Sequence, residues 1–520
     1  MRRWEWGLSG REPTRPPRSL RRSERKLPYR QDKPGRLVIT LLCVSTPEEL
    51  RVIAQLAPIS GLLTELGERF TGSGYQIALV GGPVRDALLG RVGSTPDLDF
   101  TTDARPEAII KVIEGLATAI WDVGIAFGTV GARIQGQECE ITTYRTEHYD
   151  RDSRKPAVDF GDTLEGDLGR RDFTVNAFAL RLPQMQLVDL FDGATDLENY
   201  LLRTPGRAQD SFDDDPLRIM RAARFVSQLG FRVSDDVLQA MHEQAERITI
   251  VSAERVREEF MKILMAADPR TGLELLVDTG VTDWILPELP ALRLTEDEHH
   301  RHKDVYEHSM TVLEQAIELE TVHEPASGPD PVLRLAALLH DIGKPKTRKF
   351  EKDGGVSFHH HEMVGARMVK KRMQAMRFPN DTTDQVTRLV ELHLRFHGYG
   401  TGEWTDSAVR RYVRDAGEQL VQLHKLTRAD STTRNKRRAA ALQQAYSGLE
   451  NRINVLEQEE ELASLRPDLD GAAIMRILNL PPGPVVGQAY RFLMDLRLDR
   501  GPLGEEQATE ALLAWWAARR

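Results

Sequence analysis

The sequence predicts a multidomain α+β protein, with an α/β or α+β head followed by helical units. Three observations lead there. The chain has 520 residues, more than one ordinary domain holds, so several cores are expected. From about Thr46 to Pro205, helical stretches alternate with short β-rich runs such as "YQIALVGG", "LDFTT", "GTVGARI", "ECEITTY" and "LVDLFDG". From Asp210 onward the apolar residues recur at helical 3–4 spacing, as in "PLRIMRAARFVSQLGF" and "SAERVREEFMKILM".

The first ~45 residues are rich in Arg and Pro without apolar periodicity, which predicts a disordered basic arm at 1–45. An RNA-binding arm and an upstream extension without function fit that composition equally. Within it "LVITLLCV", Leu37 to Val44, lacks a small-residue cleavage site and runs into "STPEEL", a helix start rather than an export signal. No apolar run reaches membrane-spanning length. Two cysteines, Cys43 and Cys139, cannot build a disulfide framework and suit a reducing cytoplasm. The net charge of −9 excludes a polycation, so any nucleic-acid surface must be local. Nothing in the sequence points to a stable protein partner.

In the head, "IALV" reads as a buried strand, and Gly81-Gly82 then allows a sharp turn and close approach to a ligand. Pro83 suits the first turn of the helix "VRDALLG", whose N-terminus favours phosphate. A strand–Gly–Gly–helix junction alone is more often structural. Asp97 and Asp99 say more, because i and i+2 of a strand share a face. Two carboxylates side by side need a cation, and an oxygen-only cluster suits Mg²⁺. A third carboxylate would come from Glu138 or Glu140, which again share a face. "RRDFTVNAF" places Arg170, Arg171, Asp172 and Asn176 at an expected helix start, plainly read as a capped end with solvated charges. "DLFDG", with Asp192 and Gly193, reads as a turn. Between Arg145 and Gly166 the chain is polar and aperiodic, a long loop of the functional or disordered kind.

Farther on, "DDDPLRIMRAARF" puts Asp215 and Arg218 at i, i+3 of an expected helix, with Arg221 and Arg224 along the same stripe. The plain reading is an intrahelical ion pair worth ~0.3–0.5 kcal/mol. A histidine-rich helical block follows, with His308, the adjacent His340-Asp341 ahead of Lys344, His361, His393 and Asp430 on helices or their ends. Mixed His/Asp ligands suit a divalent transition metal that keeps a position open for water. A last helical segment is interrupted by "LNLPPGPVVG". There is no internal repeat.

In that order, "GGPVRD", "DLDF", "ECEITTYR", "GRRDFTVNAFAL", "DLFDGATDL" and "DDDPLRIMRAARF" resemble the bacterial class II tRNA nucleotidyltransferases and their poly(A) polymerase relatives, of the polymerase-beta-like superfamily, over about Leu79 to Leu264. The resemblance implies a head of mixed sheet plus helices. It implies that Asp97 and Asp99 hold Mg²⁺ and that Glu140, in the aligning "EITTYR", is the third carboxylate. Gly81, Gly82 and Arg85 would then hold the triphosphate, and Arg171, Asp172 and Asn176 the sugar and triphosphate. Asp192-Gly193 would be a flexible joint between head and neck. Asp214, Asp215 and Arg218 match the family's Glu/Asp-Asp-x-x-Arg pattern, with Asp214 where Glu is commoner. Asp215 and Arg218 would imitate a base-pairing partner for cytosine and adenine. Guanine and uracil would bring a carbonyl oxygen against the carboxylate. Arg221 and Arg224 would stack on bases or bind phosphate. In this family the loop from Arg145 to Gly166 separates enzymes that add the final A from those that stop after CC.

The histidine block resembles the HD phosphohydrolase superfamily. Its ligands would be His308, His340, Asp341 and Asp430, with His361 and His393 where some members bind substrate or a second metal. The expected plan is an arm at 1–45, a nucleotidyltransferase head at 46–205, a base-selecting, RNA-binding neck at 206–295, an HD domain at 296–450 and a helical tail at 451–520. The expected function is template-independent addition of CCA to tRNA 3′ ends from CTP and ATP in the cytoplasm. A poly(A) polymerase is the first alternative, since the head motifs are shared. The C-terminus, similar to the tail of HD-bearing CCA enzymes, favours tRNA. An HD phosphohydrolase with an RNA-binding head is the second, and an HD fold kept only as a rigid tRNA-contacting domain is the plain reading of the block.

Overall fold

A computed structural model of the chain describes residues 46–519 apart from 94–96, 122–123, 149–156, 294–304, 353–354, 397–403, 432–435 and 461–465. The basic arm expected at 1–45, with Cys43 and Leu37–Val44, lies outside the described residues.

Among the described residues up to Asp189 the head has nine strands, seven of them in one sheet. Strands β1 (Ile77–Val80), β2 (Leu98–Thr102), β3 (Ala117–Trp121), β4 (Thr129–Ile134), β5 (Gln137–Thr143), β8 (Phe178–Leu182) and β9 (Gln186–Asp189) line up as β3-β4-β5-β2-β1-β8-β9. Only β2 and β5 run parallel; the other neighbours are antiparallel. The apolar run "IALV" is buried at every position because β1 sits inside the sheet between β2 and β8. β2 alternates instead: Leu98 and Phe100 are buried, and Asp99 faces out. The helices Ser60–Gly72 and Pro106–Ile113 cover the inner face with Leu62, Leu63, Leu66, Phe70, Ile109 and Ile113. At ~25 cal/mol per Å² of apolar surface, that shared burial, rather than any polar pair, holds the sheet together.

Three local expectations are corrected. The stretch between Arg145 and Gly166 is not a bare loop. Strands β6 (Arg145–His148) and β7 (Ala157–Phe160) pair as a hairpin, and a helix, Leu164–Gly169, opens with the Thr163 side chain accepting from the Gly166 amide at 3.2 Å. Its tip, 149–156, lies outside the described residues. "RRDFTVNAF" does not start a helix. The helix ends at Gly169, Thr174–Asn176 make one 3-10 turn, and the chain enters β8, because "FALRL" is claimed by pairing to both β1 and β9. Finally, "DDDPLRIMRAARF" is two helices, Ala208–Asp214 and Leu217–Leu229, with Asp215 extended between them. Pro216 forces the break: it lacks an amide proton and disfavours helical backbone in the residue before it.

From Ala208 on the described chain is almost wholly helical. One continuous apolar core runs from the head through the neck and the histidine block to Leu456, and the tail packs a separate core around Ile474, Leu493 and Leu512. The helix Lys436–Glu460 passes straight through residue 450. Neck and histidine block are tied at a buried seam. Arg334 pairs with Glu320 at 2.7 and 2.8 Å and donates to the carbonyls of Leu264 and Ala266 at 3.0 and 2.9 Å. Arg372 similarly joins Glu288 and the Ile285 carbonyl. Among the described residues no helix is long and apolar enough to cross a membrane.

Candidate functional site

The head presents its acidic residues on the outer sheet face. In the parallel β2–β5 pair, Asp99 stands directly opposite Glu140, and Asp97 precedes β2 by one residue on the same side. Glu138, also on that face, is held by Arg133 at 2.5 Å, so Glu140 is the carboxylate left facing Asp99. Although the Asp99 side chain keeps a solvent-facing side, the protein packed around it desolvates the carboxylate. Glu140 and Asp97 add repulsion, Arg171 offsets part of it, and the carboxyl is pushed up to about 6. A bound cation would relieve both the burial and the repulsion of these carboxylates.

β1 leads into Gly81, whose φ of +73° favours glycine. A Cβ there would also lie 3.0 Å from Arg171 Nη1, so the absent side chain lets the guanidinium come down on the turn. Arg171 is steadied by Asp167 at 3.3 Å. Behind it runs a chain of polar contacts. Arg85 donates to Asn176 at 2.7 Å, Asn176 donates to Asp172 at 3.0 Å, and Arg221 donates through Nε to Asp172 at 2.7 Å. Burial would raise the Asp172 carboxyl, but the Arg221 charge and these hydrogen bonds outweigh it and hold it at about 2. Asp192-Gly193 forms a tight turn, with the Asp189 carboxylate accepting from the amides of Phe191, Gly193 and Ala194.

The neck differs from the expected arrangement. Asp215 and Arg218 do not pair. Asp215 accepts from the Leu217 amide at 3.0 Å and from Arg255 at 3.2 Å. Arg218 is buried and donates to Ser211 Oγ at 2.8 Å and to the Arg170 carbonyl. The two still border the same region, because Arg218 reaches back to the segment that carries Arg171 and Asp172. Arg221 and Arg224 are not free to stack on a base here. Arg221 is committed to Asp172, and Arg224 to Glu259 at 3.0 Å. The guanidiniums of Arg85, Arg221 and Arg224 surround Phe225 at 5.4, 5.6 and 4.5 Å.

Sequence reasoning missed Glu259, Arg255 and Ser211. For Glu259 there was a signal: it lies on the Val256, Phe260, Ile263 stripe, a charge at a core position of the helix Ala253–Leu264. Arg255 and Ser211 are ordinary surface types whose roles come only from tertiary contact.

In the histidine block the five helices that carry the predicted residues converge. His308 lies in the helix Val305–Val322, His340 ends Pro331–Leu339, His361 starts His361–Ala375, His393 ends Asn380–Leu392, and Asp430 ends Leu420–Asp430. His308, His340 and Asp430 form one group, and Asp341, His361 and His393 another, each with ligand atoms within 4.8 Å of one another. Gly343 makes this possible. A Cβ there would meet the His361 carbonyl at 2.2 Å and the Gly365 amide nitrogen at 2.7 Å, so only glycine lets the His340-Asp341 turn approach that helix. Burial would lower His340, but the Asp341 and Asp430 charges outweigh it and lift it to about 10. The donor set fits a divalent cation.

Three family models match the chain: the poly A polymerase head domain over 77–203, a probable RNA- and SrmB-binding site of polymerase A over 230–292, and the HD domain over 305–435. The A-adding tRNA nucleotidyltransferase of Deinococcus radiodurans is 33% identical over 454 residues, 85% of this chain and 95% of that protein. The CCA-adding enzyme of Lactobacillus johnsonii is 39% identical over 233 residues, so this chain matches only 55% of that relative's length. The Bacillus stearothermophilus CCA-adding enzyme, solved in complex with CTP, has the same fold with a TM-score of 0.59, covering 91% of this chain and 99% of that one at 23% identity. With a carboxylate-bearing head, a helical neck and a histidine centre found in the expected order, and a relative matched over nearly its full length, the chain belongs to the tRNA nucleotidyltransferase and poly(A) polymerase family, in its HD-bearing form.

Proposed function

We propose that the chain adds C, C and A to tRNA 3′ ends from CTP and ATP, releasing pyrophosphate. The observation that carries this reading is the register of Asp99 opposite Glu140, with Asp97 on the same face and Arg171 over Gly81 beside them. Asp97, Asp99 and Glu140 would hold Mg²⁺, which when bound links the triphosphate to the primer 3′-hydroxyl and neutralises the leaving pyrophosphate. Gly81 and Gly82 admit the triphosphate to the backbone, and Arg85 and Arg171 answer its charge. Asp172 and Asn176 set the edge for the sugar and fix Arg221. Asp215 and Arg218 would read the base after giving up their contacts to Arg255 and Ser211. The fold and the tRNA-acting relatives support work in the cytoplasm.

A second reading has its own support: the relative matched over nearly its full length is named an A-adding tRNA nucleotidyltransferase. Incubating the protein with tRNA transcripts ending at the discriminator base, after C and after CC, with each NTP alone and with CTP and ATP together, separates the possibilities. Growth of all three to CCA is expected. Use of only the CC-ended transcript with ATP would make it an A-adder, and long A tracts on generic RNA a poly(A) polymerase.

Two predictions arise here. Arg218→Ala should lower CTP and ATP use by roughly one to two powers of ten, since a charge-assisted bond is worth ~1.5–3 kcal/mol and ~1.4 kcal/mol is tenfold. UTP and GTP, which gain nothing from that bond, should fall less. Equal losses for all four in single-turnover assays, with a lowered melting temperature, would assign Arg218 to holding Ser211 and Arg170 in place. The second concerns pH. An Asp99 carboxyl that titrates near 6 is ionised above that value and protonated below it. A proton must therefore leave before a cation binds in acid. The Mg²⁺ concentration for half-maximal addition should be flat above about pH 7 and rise up to ~10-fold per unit below 6. A flat requirement down to pH 5 would contradict it.

The histidine block is read as a metal-dependent phosphohydrolase, with His308, His340, Asp341 and Asp430 holding a divalent transition metal that when bound lowers the pKa of a water. The wild-type protein loaded with Mn²⁺, Ni²⁺ or Co²⁺ should hydrolyse phosphomonoesters or cyclic nucleotides, and His340→Ala with Asp341→Ala should abolish that while sparing addition to tRNA. No hydrolysis with any of the three metals would leave the block a rigid support.

A further inference from the structure

We infer that the indole of Trp121 is the platform on which the 3′-terminal base of the RNA primer stacks, beside the carboxylates of the head. One residue from each of four neighbouring strands lies in a single row across the outer sheet face. Asp99 of β2 pairs with Glu140 of β5, Glu140 with Gly131 of β4, and Gly131 with Trp121 of β3. Residues paired across neighbouring strands carry their side chains on the same face. Trp121 therefore shares the face of Asp99 and Glu140. Gly131 is what lets its ring lie down on the sheet. A Cβ there would collide with Nε1, Cε2 and Cδ1 of the Trp121 indole, so the ring fills the space a side chain would take. Glycine weakens a strand, and inside one it often marks a close approach to the backbone. At cross-strand spacing the ring comes to about 5 Å from the Glu140 Cβ.

The indole does not complete a core. Among the described residues Trp121 packs into none of the apolar clusters, and it ends an edge strand whose Thr118, Ala119 and Ile120 are exposed. A half-buried ring on a polar face offers an open π surface, which is what a nucleobase stacks on. Position then selects the primer over the incoming nucleotide. Asp99 is flanked on one side by β1, whose turn carries Gly81 under Arg171, and on the other by β5 with Glu140. On the proposed function the triphosphate lies at Gly81. In-line transfer puts the attacking 3′-hydroxyl across the α-phosphorus from the leaving pyrophosphate, and that is the side of Glu140 and Trp121. Stacking also tolerates any base. That suits a primer end that changes from the discriminator base to C as addition proceeds.

The inference rests on that reading of the head, so one arm of the test needs no turnover. The full chain is titrated, without NTP, into tRNA whose 3′-terminal discriminator base is 2-aminopurine. Its fluorescence should be quenched at saturation by the wild type and should recover with Trp121→Ala and Trp121→Leu. Addition is then measured on the tRNA end, and with the NTP, that the wild type uses best. In the Ala and Leu variants kcat/KM for tRNA should fall roughly 5- to 150-fold, as ~1–3 kcal/mol of stacking converts at ~1.4 kcal/mol per tenfold. Trp121→Phe, which keeps a π face, should retain most of it, and KM for the NTP should hardly move. Melting curves confirm folding; if the Ala and Leu variants do not fold, the wild-type titration and the Phe variant decide. A rise in KM for the NTP with quenching unchanged would hand the platform to the incoming base and overturn the inference. Full activity in Trp121→Leu, or an active wild type that does not quench, would reduce the indole to a cover for Gly131. Quenching by a wild type that adds nothing to any RNA would sink the proposed function and leave the stacking site standing.

Discussion

Replacing Asp97 or Asp99 by alanine is expected to abolish nucleotide addition, by at least several powers of ten, while leaving tRNA affinity within a few-fold of wild type. Both carboxylates stand on the outer face of the sheet opposite Glu140, and neither supports the core, whose residues in that strand are Leu98 and Phe100. On the proposed role, removing one would leave a cation without a shared ligand at the triphosphate, where charge stabilisation supplies most of the rate. Because the desolvated Asp99 carboxylate is costly when ionised and empty-handed, Asp99→Asn should melt no lower than wild type in the absence of metal. Filter retention of tRNA and incorporation on gels measure the two effects separately. Substantial addition by either alanine variant would remove these residues from metal binding, and loss of tRNA affinity would make the face an RNA contact.

The largest effect on stability is expected at the seam. Arg334 and Glu320 have side chains only 4% and 3% exposed and pair at 2.7 Å. Arg334→Ala would strand the Glu320 carboxylate and leave the carbonyls of Leu264 and Ala266 without their donor. Breaking a buried pair in this way costs about 3–5 kcal/mol. At ~2–4 °C per kcal/mol for a domain of this size, the transition that includes the neck should fall by roughly 6–20 °C. Replacing both residues with Met and Leu should restore only the part due to the stranded carboxylate, since the carbonyls of Leu264 and Ala266 would still lack their donor. Calorimetry decides. A drop below about 1 kcal/mol for Arg334→Ala would mean that water reaches the seam and screens it.

The carboxylate face was legible in the sequence because it follows from one rule, the shared face of residues i and i+2 in a strand. Asp97 and Asp99 are local in that sense, whereas Glu140 was preferred to Glu138 on the resemblance carried by "EITTYR", and the pairing of β2 with β5 had to come from the fold. The histidine block was legible from the adjacent His340-Asp341 after an apolar run and ahead of Lys344, and its full ligand set from the resemblance to the HD superfamily. Helix position failed where a strand or a proline competed. The residues of "RRDFTVNAF" have good helix-start chemistry, yet pairing on both sides claims the "FALRL" that overlaps its end. In the neck, the i, i+3 argument ignored Pro216, and the partners that Asp215 and Arg218 do take, Arg255 and the Arg170 carbonyl, are 40 and 48 positions away. No periodicity reports contacts of that range.

The spread of the histidine ligands along the chain sets a schedule for synthesis. His308 and Asp430, 2.9 Å apart in the fold, are separated by 122 positions in the chain. At ~5–20 residues per second a ribosome needs roughly 6–25 s to make that interval. The head carboxylates lie within 44 positions of one another and are all synthesised before the first of those histidines. A nascent chain can therefore complete the carboxylate face of its head while the histidine block still lacks Asp430. On the proposed roles, the two centres would then acquire their ions in sequence, the head first.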